Sequence, residues 1–237
     1  MDSNPALAAR GLRFALEEGR LLRTQLRAML HASVDTYIRI LFPMVLEIAD
    51  LWEAMEVLRE TARMEMLPLP PIGALIETRA ALFDLDGILE LVDFVSIGTN
   101  DLTQFMLAVD RETSMTLDFS IQQPGVLKAI RHVIDKAAEY RKELSVCGEA
   151  AGDPFLAGLL VGLGCRHLCM TPALAPRVRT FLSQKEIGEL ENAVDSALHS
   201  CGGWPGAPRQ SARGFPAEGS LCGAGTSSGN GAPSAAG

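Results

Sequence analysis

The stretch from Ser96 to Arg111, SIGTNDLTQFMLAVDR, concentrates the residue types that hold charged ligands. An apolar strand pattern ends in Gly98, Thr99, Asn100 and Asp101, then runs into a helical pattern that closes near Asp110 and Arg111. An amide and a carboxylate therefore stand together at a strand exit, with a guanidinium nearby. Propensity also offers a purely structural reading, with Asp101 as the N-cap of LTQFMLAV and Asn100 as a turn former. Glu77 closes a second apolar run, IGALI. A charge there is costly to bury without a partner, and a metal ion would be such a partner; the alternative is a surface carboxylate at a strand end. Cys147 follows a third run, LSV, a place where cysteine commonly serves as a small core residue. Cys165, His167 and Cys169 alternate in CRHLC and would share one face of a strand, but no fourth ligand stands at a recognisable spacing, so the run reads as a short apolar strand without a metal.

The elements that must position these groups follow from hydrophobic patterning. Five short apolar runs, YIRILFPMV, IGALIE, VDFVSIG, LSVCGEAAG and HLCMTPAL, alternate with longer helical patterns. That alternation predicts repeated βα units around a parallel sheet, whose strands read as continuous apolar runs because both faces are covered. The expected fold class is α/β, a partial (β/α)₈ TIM barrel of about five βα units, corresponding to the later strands of a barrel that has eight. Pro43, Glu77, Gly98 to Asp101, Cys147 to Glu149 and Thr171 all fall at the C-terminal ends of the strand patterns, where parallel α/β proteins bind ligands. Upstream, Leu12 to Leu30 carries apolar residues at helical spacing and predicts one amphipathic helix. From Gly202 onward the composition turns to Gly, Ser, Ala and Pro, too poor in large apolar groups to offset the entropy of ordering. The expected organisation is a barrel domain over 1–199 and a disordered tail over 200–237.

The formal net charge of -8 opposes a nucleic-acid footprint, and an anionic ligand must be held by a few placed cations. No apolar stretch is long enough to span a bilayer and the polar opening is unlike a secretory signal, so a membrane partner is not expected and a cytoplasmic location is. Five cysteines without a framework fit reduced thiols.

SIGTNDLTQFMLAVDR resembles the signature of the phosphoenolpyruvate-utilising enzymes nearly letter for letter. ILFPMV, VCGEAAGD from Val146 to Asp153, and NPALAARGLR around Arg10 narrow the resemblance to the Enzyme I family of the phosphoenolpyruvate:sugar phosphotransferase system over about residues 4 to 185. Pyruvate phosphate dikinases and phosphoenolpyruvate synthases share the Asn-Asp element and differ in the other segments. The resemblance implies that Glu77 and Asp101 bind Mg²⁺, that Arg10 and Arg111 hold the phosphate, that Asn100 donates to a phosphate oxygen, and that Cys147 protonates the enolate of pyruvate. Arg10 reads alternatively as a solvated arginine. The implied acceptor is a histidine on a separate domain, which passes the phosphoryl group to the phosphocarrier protein HPr; none of His31, His132, His167 or His199 lies in such a motif. The family also implies a homodimer, and two further substrate arginines from a portion preceding this chain. Arg79 stands where the family usually has proline. A non-catalytic module that binds phosphoenolpyruvate with Glu77, Asn100, Asp101 and Arg111 is the competing expectation.

Overall fold

Five short parallel strands lie in the order of the sequence, and each is followed by helix. The computed structural model describes residues 8–109 and 121–199, all within one compact unit. Arg111 and the tail over 200–237 lie outside the described residues. The chain opens with α1 (Gly11–Glu17) and α2 (Gly19–Ala32), and then alternates as β1 (Ile40–Phe42), α3 (Ile48–Glu65), β2 (Ile72–Ile76), α4 (Arg79–Phe83) and α5 (Leu85–Leu91). It continues with β3 (Phe94–Gly98), α6 (Thr99–Leu107), α7 (Pro124–Glu139), β4 (Glu143–Cys147), α8 (Glu149–Gly152), α9 (Pro154–Gly162), β5 (Leu168–Cys169), α10 (Ala175–Leu182) and α11 (Ile187–His199). Five consecutive βα units in this order bear out the expected α/β architecture.

The predicted single helix over 12–30 is two helices. Glu18 departs from helical geometry with φ -90 and ψ 48 and ends α1, and the chain restarts at Gly19. Within α2 the apolar spacing behaves as predicted: Leu22, Leu26 and Leu30 recur every fourth residue and are buried. The fifth strand is shorter than its run HLCMTPAL suggests, with only Leu168 and Cys169 in the ladder.

Period-two alternation divides the sheet into two faces. One carries Ile40, Phe42, Ile72, Ala74, Ile76, Val95, Ile97 and Val146, all buried in the continuous core with Leu51, Leu58, Ile88, Leu127 and Leu159 from the surrounding helices. The other face is more polar. Toward the N-terminal ends of the strands, the Arg39 guanidinium lies 3.7 Å from the centroid of the Phe94 ring and donates to Glu143 Oε1 at 2.6 Å. Arg39 thus links the start of β1 to β3 and β4 across one end of this face. One layer further along, Ser145 Oγ donates to Ser96 Oγ at 3.0 Å. The opposite, C-terminal end of the same face is where the singled-out residues stand.

Candidate functional site

Strand register assembles the site. Ile76 pairs with Ile97, so continuing that register by one residue sets Glu77 beside Gly98; Gly98 pairs with Cys147, and Cys147 with Cys169. Glu77, Gly98, Cys147 and Cys169 therefore form one row on one face at the strand exits. Residues drawn from four separate apolar runs converge there.

Glu77 is only 4% exposed. Its Oε1 accepts the backbone N–H of Met44 at 2.8 Å, which fixes the carboxylate against the loop after β1. The adjacent Thr78 ties the same two loops together: its Oγ1 donates to Val45 O at 2.7 Å and accepts the N–H of Ala81, capping α4. At Gly98, a Cβ would land on Glu77 Oε2 and lie 3.0 Å from Glu77 Cβ. Glycine is required here by close approach, since its backbone is in the ordinary extended region with φ -88. Gly98→Ala is expected to leave the chain folded, displace the Glu77 carboxylate and lower the melting temperature by a loss of about 1–3 kcal/mol, the usual cost of overfilling a packed site. A thermal scan alongside a Mg²⁺ titration reads both effects.

The Gly98 to Asp101 segment behaves differently from a simple capped helix. Helix α6 begins at Thr99 with Gly98 at its N-cap, and Asp101 sits within the first turn without capping it. Instead, Asp101 Oδ2 accepts Arg10 Nη2 at 2.9 Å, an ion pair with side-chain exposures of 13% and 31%. Arg10 reaches it because it precedes α1, whose Leu12 N–H donates to Pro43 O at 3.2 Å and fastens the helix start over the β1 exit. The second oxygen, Asp101 Oδ1, is buried with no hydrogen-bond partner among the described residues. A buried carboxylate oxygen without a donor is costly and suits a cation.

Asn100 Oδ1 accepts the Glu149 N–H at 3.2 Å, which leaves its amide NH₂ as the donor group. Thr99 Oγ1 donates to Cys147 O at 2.9 Å, so the exits of β3 and β4 are locked to each other. Gly148 follows with φ +111, a conformation that favours glycine, and a Cβ there would land on Thr99 Oγ1. These contacts hold Cys147 in place. Its Sγ lies 3.5 Å from Ile97 O. Burial pushes its thiol above the ordinary value of 9.0, opposed by a hydrogen bond with Ser96 and aided by the charge of Glu77. The thiol therefore keeps its proton at neutral pH. Because the folded value lies above the unfolded one, this group's contribution to stability is complete below the ordinary thiol range and is lost as pH rises through the folded value. Alkylation of Cys147 by iodoacetamide is expected to be slower in the folded than in the urea-unfolded chain near pH 7, with the gap narrowing as pH rises; peptide mapping against time at several pH values checks it.

A cleft of about 530 Å³ opens beside this row, lined by Arg10, Arg13, Met44, Thr78 and Arg79 among others. Three guanidiniums and the Glu17 carboxylate line it; Arg10 is paired with Asp101 and Arg13 lies 3.9 Å from Glu47 Oε1. Cys165, by contrast, is buried in the core with Sγ 3.3 Å from His167 O, and no cluster of three His, Cys, Asp or Glu suited to a metal occurs among the described residues. The Arg10 to Asp101 pair joins residues 91 positions apart and has no signal in local sequence. No described helix is long and apolar enough to cross a membrane.

Residues 1–187 match the family described as PEP-utilising enzyme, PEP-binding domain. The chain is 39% identical over 199 residues to the multiphosphoryl transfer protein of Xanthomonas campestris pv. campestris, covering 83% of this chain and 24% of that protein. It is 36% identical over 204 residues to the phosphoenolpyruvate-protein phosphotransferase of Cupriavidus necator, covering 83% and 35% respectively. A protein of Escherichia coli K12 named phosphoenolpyruvate-dependent phosphotransferase system is 35% identical over 207 residues, covering 84% and 28%. The chain thus spans about a quarter to a third of the length of these curated relatives. Among solved structures, a citrate lyase from Burkholderia xenovorans LB400 superposes with a TM-score of 0.55 at 20% identity, covering 74% of this chain and 58% of that one, a likeness of fold.

Proposed function

Since the chain belongs to the family of phosphoenolpyruvate-binding domains of phosphoenolpyruvate-utilising enzymes, we propose that it is the phosphoenolpyruvate-binding part of a phosphoenolpyruvate-protein phosphotransferase of the Enzyme I type. In this reading it binds phosphoenolpyruvate with Mg²⁺, surrenders the phosphoryl group to a histidine on a domain outside this chain, and protonates the enolate of pyruvate left behind. The supporting observation is Asp101 Oδ1, buried and without a partner among the described residues, three residues beyond the row that holds Glu77 and Cys147.

Glu77 and Asp101 supply the hard carboxylate oxygens, few in number, that Mg²⁺ takes alongside phosphate and water. When bound, the ion neutralises charge on the phosphoryl group and helps to orient it. Arg10 spends one N–H on Asp101 and keeps others for phosphate oxygens, where a planar guanidinium can meet two at once. Arg111 would act as a second guanidinium, and the Asn100 NH₂ as a neutral donor. Cys147 acts last: its S–H bond breaks as a C–H bond forms at the methylene carbon of the enolate, and the thiolate recovers a proton from water. Burial, which keeps that thiol protonated, suits a donor better than a nucleophile.

In this reading the context is that of the sugar phosphotransferase system. The histidine domain would pass the phosphoryl group to the phosphocarrier protein HPr in the cytoplasm, and two copies of the barrel portion would associate. A second reading, a binding module without turnover, is favoured by one observation: Arg79 follows the Glu77-Thr78 pair directly and lines the cleft, adding a cation beside the metal carboxylate. Calorimetry and isotope exchange separate the two. Phosphoenolpyruvate binding that needs Mg²⁺, together with exchange of pyruvate methyl hydrogens for deuterium, supports the enzyme; binding without exchange supports the module; no binding with Mg²⁺ present sinks both.

A further inference from the structure

Cys147 and Cys169 are register partners on the neighbouring parallel strands β4 and β5. Such partners lie roughly 4.8 Å apart across a ladder and project from the same face. That spacing falls within the range of about 4.4–6.8 Å between Cα atoms that a disulfide bridges. Both are free thiols, Cys147 half-buried and Cys169 exposed, so one sulfur belongs to the site and the other meets solvent. Strand β5 contributes only two residues and forms an edge of the sheet as described, so the small shift that closes the sulfurs meets little resistance from the ladder. The third nearby thiol, Cys165, is buried and engaged with His167 O, which removes it from competition. The proposed phosphotransfer assigns no role to Cys169.

We propose that Cys147 and Cys169 form a reversible disulfide when the chain meets a hydroperoxide, withdrawing the Cys147 thiol from the site. The exposed Cys169 sulfur attacks one peroxide oxygen; the O–O bond breaks, the thiol proton leaves with the departing oxygen, and a sulfenic acid remains. The Cys147 sulfur then attacks that sulfenic sulfur, the S–O bond breaks, and the hydroxyl leaves as water with the Cys147 proton. With hydrogen peroxide, two thiols lose two electrons, one peroxide gains them, and two waters form. A bridge between adjacent strands at an exposed edge is of the labile kind that thiols reduce readily. The bridge itself follows from geometry; its effect on turnover rests on Cys147 being the acid of the proposed reaction.

The test treats the full chain with hydrogen peroxide, blocks remaining thiols with iodoacetamide, and maps the peptides. The expected product joins the Cys147 and Cys169 peptides, protects both from alkylation, and disappears on adding dithiothreitol. Cys169→Ser is expected to abolish the bridge and to leave Mg²⁺-dependent phosphoenolpyruvate binding within about twofold of the parent, since an exposed thiol with no proposed contact to the ligand or the ion is replaced by a near isostere. A bridge from Cys169 to Cys165, Cys201 or Cys222 would overturn the proposal. So would Cys169 oxidised to a sulfinic acid while Cys147 remains open to alkylation. Pyruvate methyl exchange in the bridged chain is expected to fall by about 100-fold, as for a lost general acid. If the bridge forms and exchange persists, the switch is sound as chemistry and the assignment of Cys147 as acid is what fails.

Discussion

Replacing Cys147 by alanine is expected to slow the exchange of pyruvate methyl hydrogens by about 10²- to 10⁴-fold, the span supplied by a positioned general acid. Binding of phosphoenolpyruvate with Mg²⁺ is expected to stay within about threefold, because no proposed ligand contact is removed. The reason lies in the row at the strand exits. Thr99 Oγ1 grips the Cys147 carbonyl and Gly148 turns the chain away, so the backbone at 147 is held independently of its side chain. Sγ makes only weak contacts, to Ile97 O and to the Ser96 hydroxyl, and its loss leaves a small gap rather than an unpaired charge. Parallel losses of binding and exchange would instead make Cys147 a packing residue, the reading that composition alone favours.

The second large effect belongs to Asp101. Asp101→Asn keeps the shape and removes the charge, so Arg10 loses its ionic partner and a cation loses an anionic oxygen. Mg²⁺-dependent affinity for phosphoenolpyruvate is expected to drop by about 100-fold, close to 3 kcal/mol. Stability without ligand is expected to change by only about 1 kcal/mol, since the amide can still accept from Arg10 and the pair is partly open to water. Calorimetry with and without Mg²⁺ reads the first quantity and urea unfolding the second. Equal affinity in the parent and Asp101→Asn would remove this carboxylate from the ion's shell.

The strand exits were legible because both covered faces of a parallel strand leave an unbroken apolar run, and the polar residues ending each run fall where ligands bind. IGALI, VDFVSIG and the start of LSVCGEAAG became β2, β3 and β4 with Glu77, Gly98 and Cys147 in register. Local pattern failed where long-range contacts decide. Glu18 breaks the predicted helix over 12–30 although its neighbours keep helical spacing, a backbone event that periodicity does not report. The run HLCMTPAL was cut to two ladder residues because Pro172, Ala173 and Leu174 turn the chain toward α10, which starts at Ala175. Asp101 read equally well as a helix cap until Arg10, 91 residues earlier, supplied its partner. The pairing of Cys147 with Cys169, and the Arg39 bridge to Glu143 across Phe94, depend on register between distant strands. No window of sequence contains that register.

In the proposed function, Glu77 and Asp101 share one Mg²⁺ that presents phosphoenolpyruvate to Cys147. Crystals of the chain grown with phosphoenolpyruvate and Mn²⁺ in place of Mg²⁺ test it through the anomalous signal of the metal. One strong peak is expected within coordination distance of Asp101 Oδ1 and a Glu77 carboxylate oxygen, with the ligand's methylene carbon facing the Cys147 sulfur. A metal peak bound elsewhere, or a ligand lying in the arginine-lined cleft with no metal between it and these carboxylates, would contradict it.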